Sequence, residues 1–251
     1  MNFNKSKALA GGLIASCIAT GAAACEMVHT AHHEGSGGAY VMLLNDVEVG
    51  SGFARKGSVS LTRGLLSGQN TVTINYAPMN DGDAARFSIH YGCKADPQST
   101  QPVASVDFDG EASKSLVFDQ ETPVPLPYPG AQVTDGAGLE EAVRALQTAV
   151  LAKDVDAVLA TQKPVVARLE DQGHSSDRIK QHITMMLTKG EIASAQGLII
   201  VPQMNGLTWR VWGRQYQPAI SVHLEQGSGD VYWTGGSRWI FVDGAWAVLE
   251  P

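Results

Sequence analysis

Cysteine is scarce in this 251-residue chain. The three present, Cys17, Cys25 and Cys93, are too few for a disulfide scaffold and lack the C-x-x-C spacing of a zinc or redox site. Also missing are G-x-S-x-G, H-E-x-x-H and a glycine-rich phosphate loop, which removes the motif-level grounds for a serine hydrolase, a zinc protease or a nucleotide enzyme. Basic residues are outnumbered, with 18 Lys and Arg against 25 Asp and Glu. Nucleic acid and anionic lipid headgroups, which demand basic patches, are therefore excluded as expected partners. An apolar content of 44% nevertheless excludes a mainly disordered chain and leaves room for one large or two modest domains.

The N-terminus reads as a secretory signal over residues 1–24. Lys5 and Lys7 precede an apolar stretch from Ala8 to Ala19, and Ala22-Ala23-Ala24 offers an A-x-A cleavage site. The stretch is too short and interrupted for a permanent span. A lipoprotein signal is the alternative, because Ile14-Ala15-Ser16-Cys17 has the apolar-small-small-Cys pattern of lipid attachment and Cys25 follows three alanines. Either way the expectation is export, to the periplasm or beyond, or lipid anchoring at the outer membrane. Removing Lys5 and Lys7 leaves 16 basic residues against 25 acidic, a net charge of −9. Cleavage after Ala24 also leaves an even pair, Cys25 and Cys93, in an oxidising compartment. A Cys25–Cys93 disulfide is expected, with a lipidated Cys25 and a lone buried Cys93 as the other outcome.

Residues 25–38 show no apolar periodicity and end in Gly and Ser, so a flexible tether is expected. His29, His32 and His33, with Met27 beside them, have the side chains for a soft or borderline metal, but a tether does not pin ligands; no metal or cofactor is assigned. From Tyr40 to Asp119 short runs alternate with period two. Val72, Ile74 and Tyr76 are one such set, Phe87, Ile89 and Tyr91 another, and Leu116 and Phe118 a third. Turn clusters separate them and no helical period intrudes, which points to an antiparallel β-sandwich over 39–121. Residues 122–136 then carry proline at every second position from Pro123 to Pro129, an extended spacer and the expected domain boundary, open to proteolysis.

The remaining 137–251 begin helical. Leu139, Ala142, Val143, Leu146, Ala149 and Val150 form one stripe; Val155–Thr161 continues as a shorter helix closed by Pro164. Ser175-Ser176 cap a third helix, 177–189, stopped by Gly190. A five- or six-stranded antiparallel meander is expected after it. All five tryptophans, Trp209, Trp212, Trp233, Trp239 and Trp246, lie here. The chain closes with two apolar runs joined by Asp243-Gly244, the dipeptide of a two-residue type I′ hairpin. That turn sets Phe241 opposite Trp246, Ile240 opposite Ala247 and Trp239 opposite Val248. Both faces are apolar, so the helices must cover one and another sheet, domain or subunit the other.

The fold class is thus α+β: an N-terminal antiparallel β-sandwich followed by a C-terminal cone of helices packed on a curled antiparallel sheet. The stretches VMLLNDVEVGSG and SVSLTRGLLSGQNTVTINY resemble jelly-roll accessory domains of secreted glycan-active enzymes, which implies a binding or spacer module. The helix break LAKDVDAVLA and the closing RWIFVDGAWAVLE resemble the nuclear-transport-factor-like, cystatin-like superfamily that includes ketosteroid isomerase and polyketide-cyclase-like proteins. That resemblance implies a pocket inside a cone and a sheet face that often dimerises, and so a possible homodimer through the C-terminal sheet. Its enzymes hold a base and an oxyanion donor in the cone, but no pair aligns here, and no catalytic residue is assigned. The polar-tipped side chains expected to reach the interior are His182, Arg210, Trp212, His223 and Tyr232, each of which also suits a structural role with one hydrogen bond. The functional expectation is a non-catalytic protein of the envelope binding a small ligand or another envelope protein. The alternatives are an isomerase or hydrolase using the cone and an immunity-type or scaffolding protein.

Overall fold

The computed structural model describes residues 25–94, 100–226 and 229–250. The leader expected over 1–24, with Cys17, lies outside them. Cys25 and Cys93 form a disulfide, with Cα atoms 5.7 Å apart.

Eight strands build the N-terminal half. One antiparallel sheet holds β4 (Gly57–Ser60), β1 (Met27–Gly35), β6 (Ala85–Cys93) and β7 (Gln101–Phe108) in that order. The other holds β3 (Val47–Phe53), β2 (Ala39–Leu44), β5 (Gly68–Ala77) and β8 (Ala112–Gln120). Phe87, Ile89 and Phe108 of the first meet Met42, Leu44, Ile74 and Tyr76 of the second in one apolar cluster, a β-sandwich-like arrangement made by the period-two alternation.

The expected tether is not one. Met27–Gly35 is a strand paired on both sides, to β4 and β6. Its inward positions are His29, Ala31 and His33, so the alternation was present but written in histidine. His29 packs against Tyr91 and Phe118, with ring centroids 4.6 and 4.3 Å away. His33 lies beside Tyr40, its Nδ1 2.6 Å from the Arg55 carbonyl oxygen and its Nε2 3.2 Å from the Tyr40 hydroxyl. An imidazole whose nitrogens find such partners is accepted in a core that an aliphatic would otherwise fill.

After β9 (Ala131–Gln132), four helices follow: α1 (Leu139–Leu151), α2 (Val155–Thr161), α3 (Lys163–Asp171) and α4 (Ser176–Lys189). Asp154 caps α2 and Ser175 caps α4. Pro164 does not end the helical region; it sits in the first turn of α3, where its missing N–H has no intrahelical partner to lose. The strands form two sheets rather than one meander. β10 (Glu191–Ser194), β13 (Ile220–Gln226) and β14 (Gly229–Thr234) form one, and β11 (Leu198–Gln203), β12 (Thr208–Gly213), β15 (Arg238–Val242) and β16 (Ala245–Glu250) the other, with β9 added on β15. Both turn apolar side chains to the helices: Leu139, Val143, Leu146, Met186, Val222, Trp239 and Val248 belong to one cluster.

The closing hairpin has the register dictated by its turn, Phe241 opposite Trp246 and Trp239 opposite Val248, with positive φ at Asp243 and Gly244. Its second face is covered from within the chain. Ile240, Val242, Ala247 and Leu249 pack with Val47 of β3, with Ala131 of the proline-rich segment, and with Met204 and Leu207; Leu66 and Tyr128 flank them. The β2–β3 turn adds hydrogen bonds, Met204 N–H to the Asn45 carbonyl and Gln203 Nε2 to the Asp46 carbonyl. The expected spacer is accordingly docked, with β9 paired to Val242 and Phe241 and Val124 N–H donating to Ser67 Oγ. An apolar cluster drawing on both halves couples their unfolding. Calorimetry of the full chain is expected to show one transition; two transitions separated by many degrees would mean that the junction contributes little.

Candidate functional site

The helix-facing side of the C-terminal sheets is filled. Trp209 and Trp239 are buried among the helices, and their indole N–H groups donate to the carbonyls of Gly206 and Gly236 at 3.1 and 2.8 Å. The open space lies at the edge of that core, in a cleft of about 460 Å³ between α3, α4 and Trp233 of β14. Along α2 and α3, Val158, Gln162, Val165 and Leu169 recur at helical spacing. Ile179 and Ile183 on α4 do the same, and their apolar stripes form the walls. Gln162, between the two helices, is only 2% exposed, yet among the described residues its Nε2 has no hydrogen-bond partner. A buried amide donor without an acceptor costs on the order of 1–3 kcal/mol, so this group is set to receive one. Val166, Arg168, His174, Arg178 and His182 complete the lining. No carboxylate lines the cleft among the described residues.

The five residues expected in the interior do not converge. His182 is exposed on α4 and borders the cleft. Arg210 and Trp212 alternate with Trp209 and Val211, so with those two in the core they stand on the opposite sheet face. The Arg210 guanidinium lies over the Trp212 ring at 5.0 Å. His223 and Tyr232, a cross-strand pair, stack with centroids 4.4 Å apart on the face turned from the helices, Tyr232 being 66% exposed. Pleat alternation is the reason: Ile220, Val222 and Leu224 take the inward positions of β13.

Of the cleft residues only His182 was among the site candidates named from the sequence; Gln162, Trp233, Arg168, His174 and Arg178 were not, although Gln162 at i+4 from Val158 carries the stripe and was findable as a polar residue in an apolar position. The histidines of β1 do not gather. His29 and His33 point into the sandwich, while His32 lies outside beside His90, with ring centroids 4.4 Å apart. Burial pushes the His29 imidazole below its ordinary pKa, and burial followed by the charge of His32 does the same to His90. Among the described residues no group of three His, Cys, Asp or Glu side chains is placed to hold a metal ion.

No family model, no curated protein and no solved structure matches this chain. No helix among the described residues is long and apolar enough to cross a membrane.

Proposed function

We propose that this is an exported, non-catalytic binding protein whose C-terminal half, a cone-like domain carried beside a β-sandwich, holds a small amphipathic ligand in the cleft between α3, α4 and Trp233. The ligand has an apolar body for the Val165, Leu169 and Ile183 walls and an acceptor for the Gln162 amide; the basic rim suits an acidic head. The observation that carries this reading is the unpartnered, buried Gln162 Nε2 in an otherwise apolar cleft. The cone is supported by the sequence order of helices followed by strands and by the Trp212–Pro218 bridge linking β12 to the chain entering β13. Export is supported by the disulfide. A catalytic reading finds little to work with, because among the described residues neither His174 nor His182 has a hydrogen-bonded carboxylate to orient it as a base.

N-Phenylnaphthylamine, a neutral dye that brightens in apolar surroundings, is expected to bind saturably, and decanoate to displace it. Val166→Trp, which fills the cleft, should abolish dye binding with the far-UV circular dichroism unchanged. Gln162→Leu should leave the dye bound but weaken decanoate roughly three- to tenfold, the worth of one hydrogen bond. Absence of dye binding, or equal binding by Val166→Trp, would overturn the proposal.

A further inference from the structure

Strands β12 and β15 set Arg210 directly opposite Arg238, an arrangement in which like charges repel across the ladder. Arg63, from the loop after β4 in the N-terminal half, reaches the same place. Glu250 joins them, its Oε1 3.1 Å from Arg238 Nη1 and its Oε2 2.7 Å from Arg63 Nη2. Both carboxylate oxygens are thereby engaged by two of the three guanidinium groups, and Arg210 has no ion pair among the described residues. Its contact is the Trp212 ring.

The donors left over are buried. Arg238 is 4% exposed, and among the described residues its Nε and Nη2 have no hydrogen-bond partner; neither has Nε of Arg210. Burial lowers the Arg238 pKa to about 10; Glu250 opposes the fall and the charges of Arg63 and Arg210 add to it, and the group stays charged at neutral pH. Orphaned donors of this kind are rare because they carry the full desolvation cost of the group. A bridge between the halves needs only Arg63, Glu250 and Arg238. It does not account for Arg210, which has no ion pair among the described residues and adds a further positive charge to the cluster.

We infer that Arg63, Arg210 and Arg238 form an oxyanion-binding site at the junction of the two halves, taking the carboxylate, phosphate or sulfate group of a small solute beside the Trp212 ring. Guanidinium forks match such groups with paired N–H donors, and the ring that holds Arg210 gives the solute a flat apolar neighbour. Entry is from the Arg63 side, whose side chain is 52% exposed. Since Arg63 belongs to one half and Arg210 and Arg238 to the other, a bound anion ties the halves together. The site shares no residue with the α3–α4 cleft, so the two proposals stand or fall separately.

The test follows the melting temperature of the full chain as phosphate, sulfate or acetate replaces chloride at constant ionic strength. A saturable rise of several degrees is expected for the preferred anion, and its ranking against the others separates tetrahedral from carboxylate ligands. Arg210→Gln should abolish the anion-dependent rise and, by removing the like-charged neighbour of Arg238, raise the melting temperature measured in chloride. Arg86→Gln, at an exposed arginine on the sandwich, should keep the full rise. No rise in the wild type, or an equal rise in the wild type and Arg210→Gln, would overturn the inference, the second by assigning the effect to general salt action.

Discussion

Trp239→Ala is expected to destabilise the protein by about 3 to 5 kcal/mol, the cost of removing a large aromatic from a packed interior. Trp239 is fully buried, in one apolar cluster with its cross-strand partner Val248, with Val211 and with residues of the helices, and its N–H is satisfied by the Gly236 carbonyl. The backbone is moulded to the ring: a Cβ at Gly236, where φ is +75°, would stand 2.8 Å from the indole. Alanine therefore leaves a cavity that the surroundings cannot refill. A loss of that size is a large part of the ~5 to 15 kcal/mol that holds a typical domain. Trp246→Ala should cost less, because Trp246 is only half-buried, packed edge-on to Phe241 and Trp209 with its N–H donating to the Ala137 carbonyl. Urea denaturation of both variants checks the order. A Trp239→Ala protein within about 1 kcal/mol of wild type, or one more stable than Trp246→Ala, would mean that this core is not where the stability resides.

Glu250→Gln should cost about 2 to 4 kcal/mol, because it removes the one anionic partner that the buried Arg238 charge has among the described residues. Breaking such a pair from one side costs up to about 5 kcal/mol, and the partial exposure of Glu250 places the effect below that limit. Arg63 loses its partner in the same substitution, so the junction between the halves weakens too. The companion variant is Glu250→Gln with Arg238→Met, which removes the stranded charge and keeps much of the side-chain volume. It should recover a large share of the loss, since exchanging both partners for neutral groups is far cheaper than stranding one. If the double variant were no more stable than Glu250→Gln, the cost would lie in the backbone around β16 instead of in the guanidinium.

The closing hairpin was legible to the residue because its information is local. Asp243-Gly244 tolerates positive φ, and a two-residue turn fixes every pair beyond it. The α1 stripe and the Ser175 cap were legible for the same reason. β1 was not, because His29 and His33 hold core positions that a pattern of aliphatics would have advertised, and only Tyr40, Tyr91 and Phe118, brought in from other strands, make those positions tolerable. α3 was missed because Pro164 is a stop signal inside a helix and a permissible residue in its first turn, and the chain direction around Gln162 decides which.

By itself the sequence determined the local geometry of this protein: which residues alternate, where helices start, how the last hairpin pairs, and that both faces of that hairpin need cover. Tertiary structure alone decided what supplies the cover and where charge collects. Val47 packs with Ile240, and Arg63 meets Glu250 beside the Arg210–Arg238 pair, across separations in the chain that no local rule spans. Backbone propensity and turn chemistry act over a few residues. Burial and electrostatics act between whichever surfaces the folded chain brings together, so the junction and both candidate sites exist only once the strands and helices have packed.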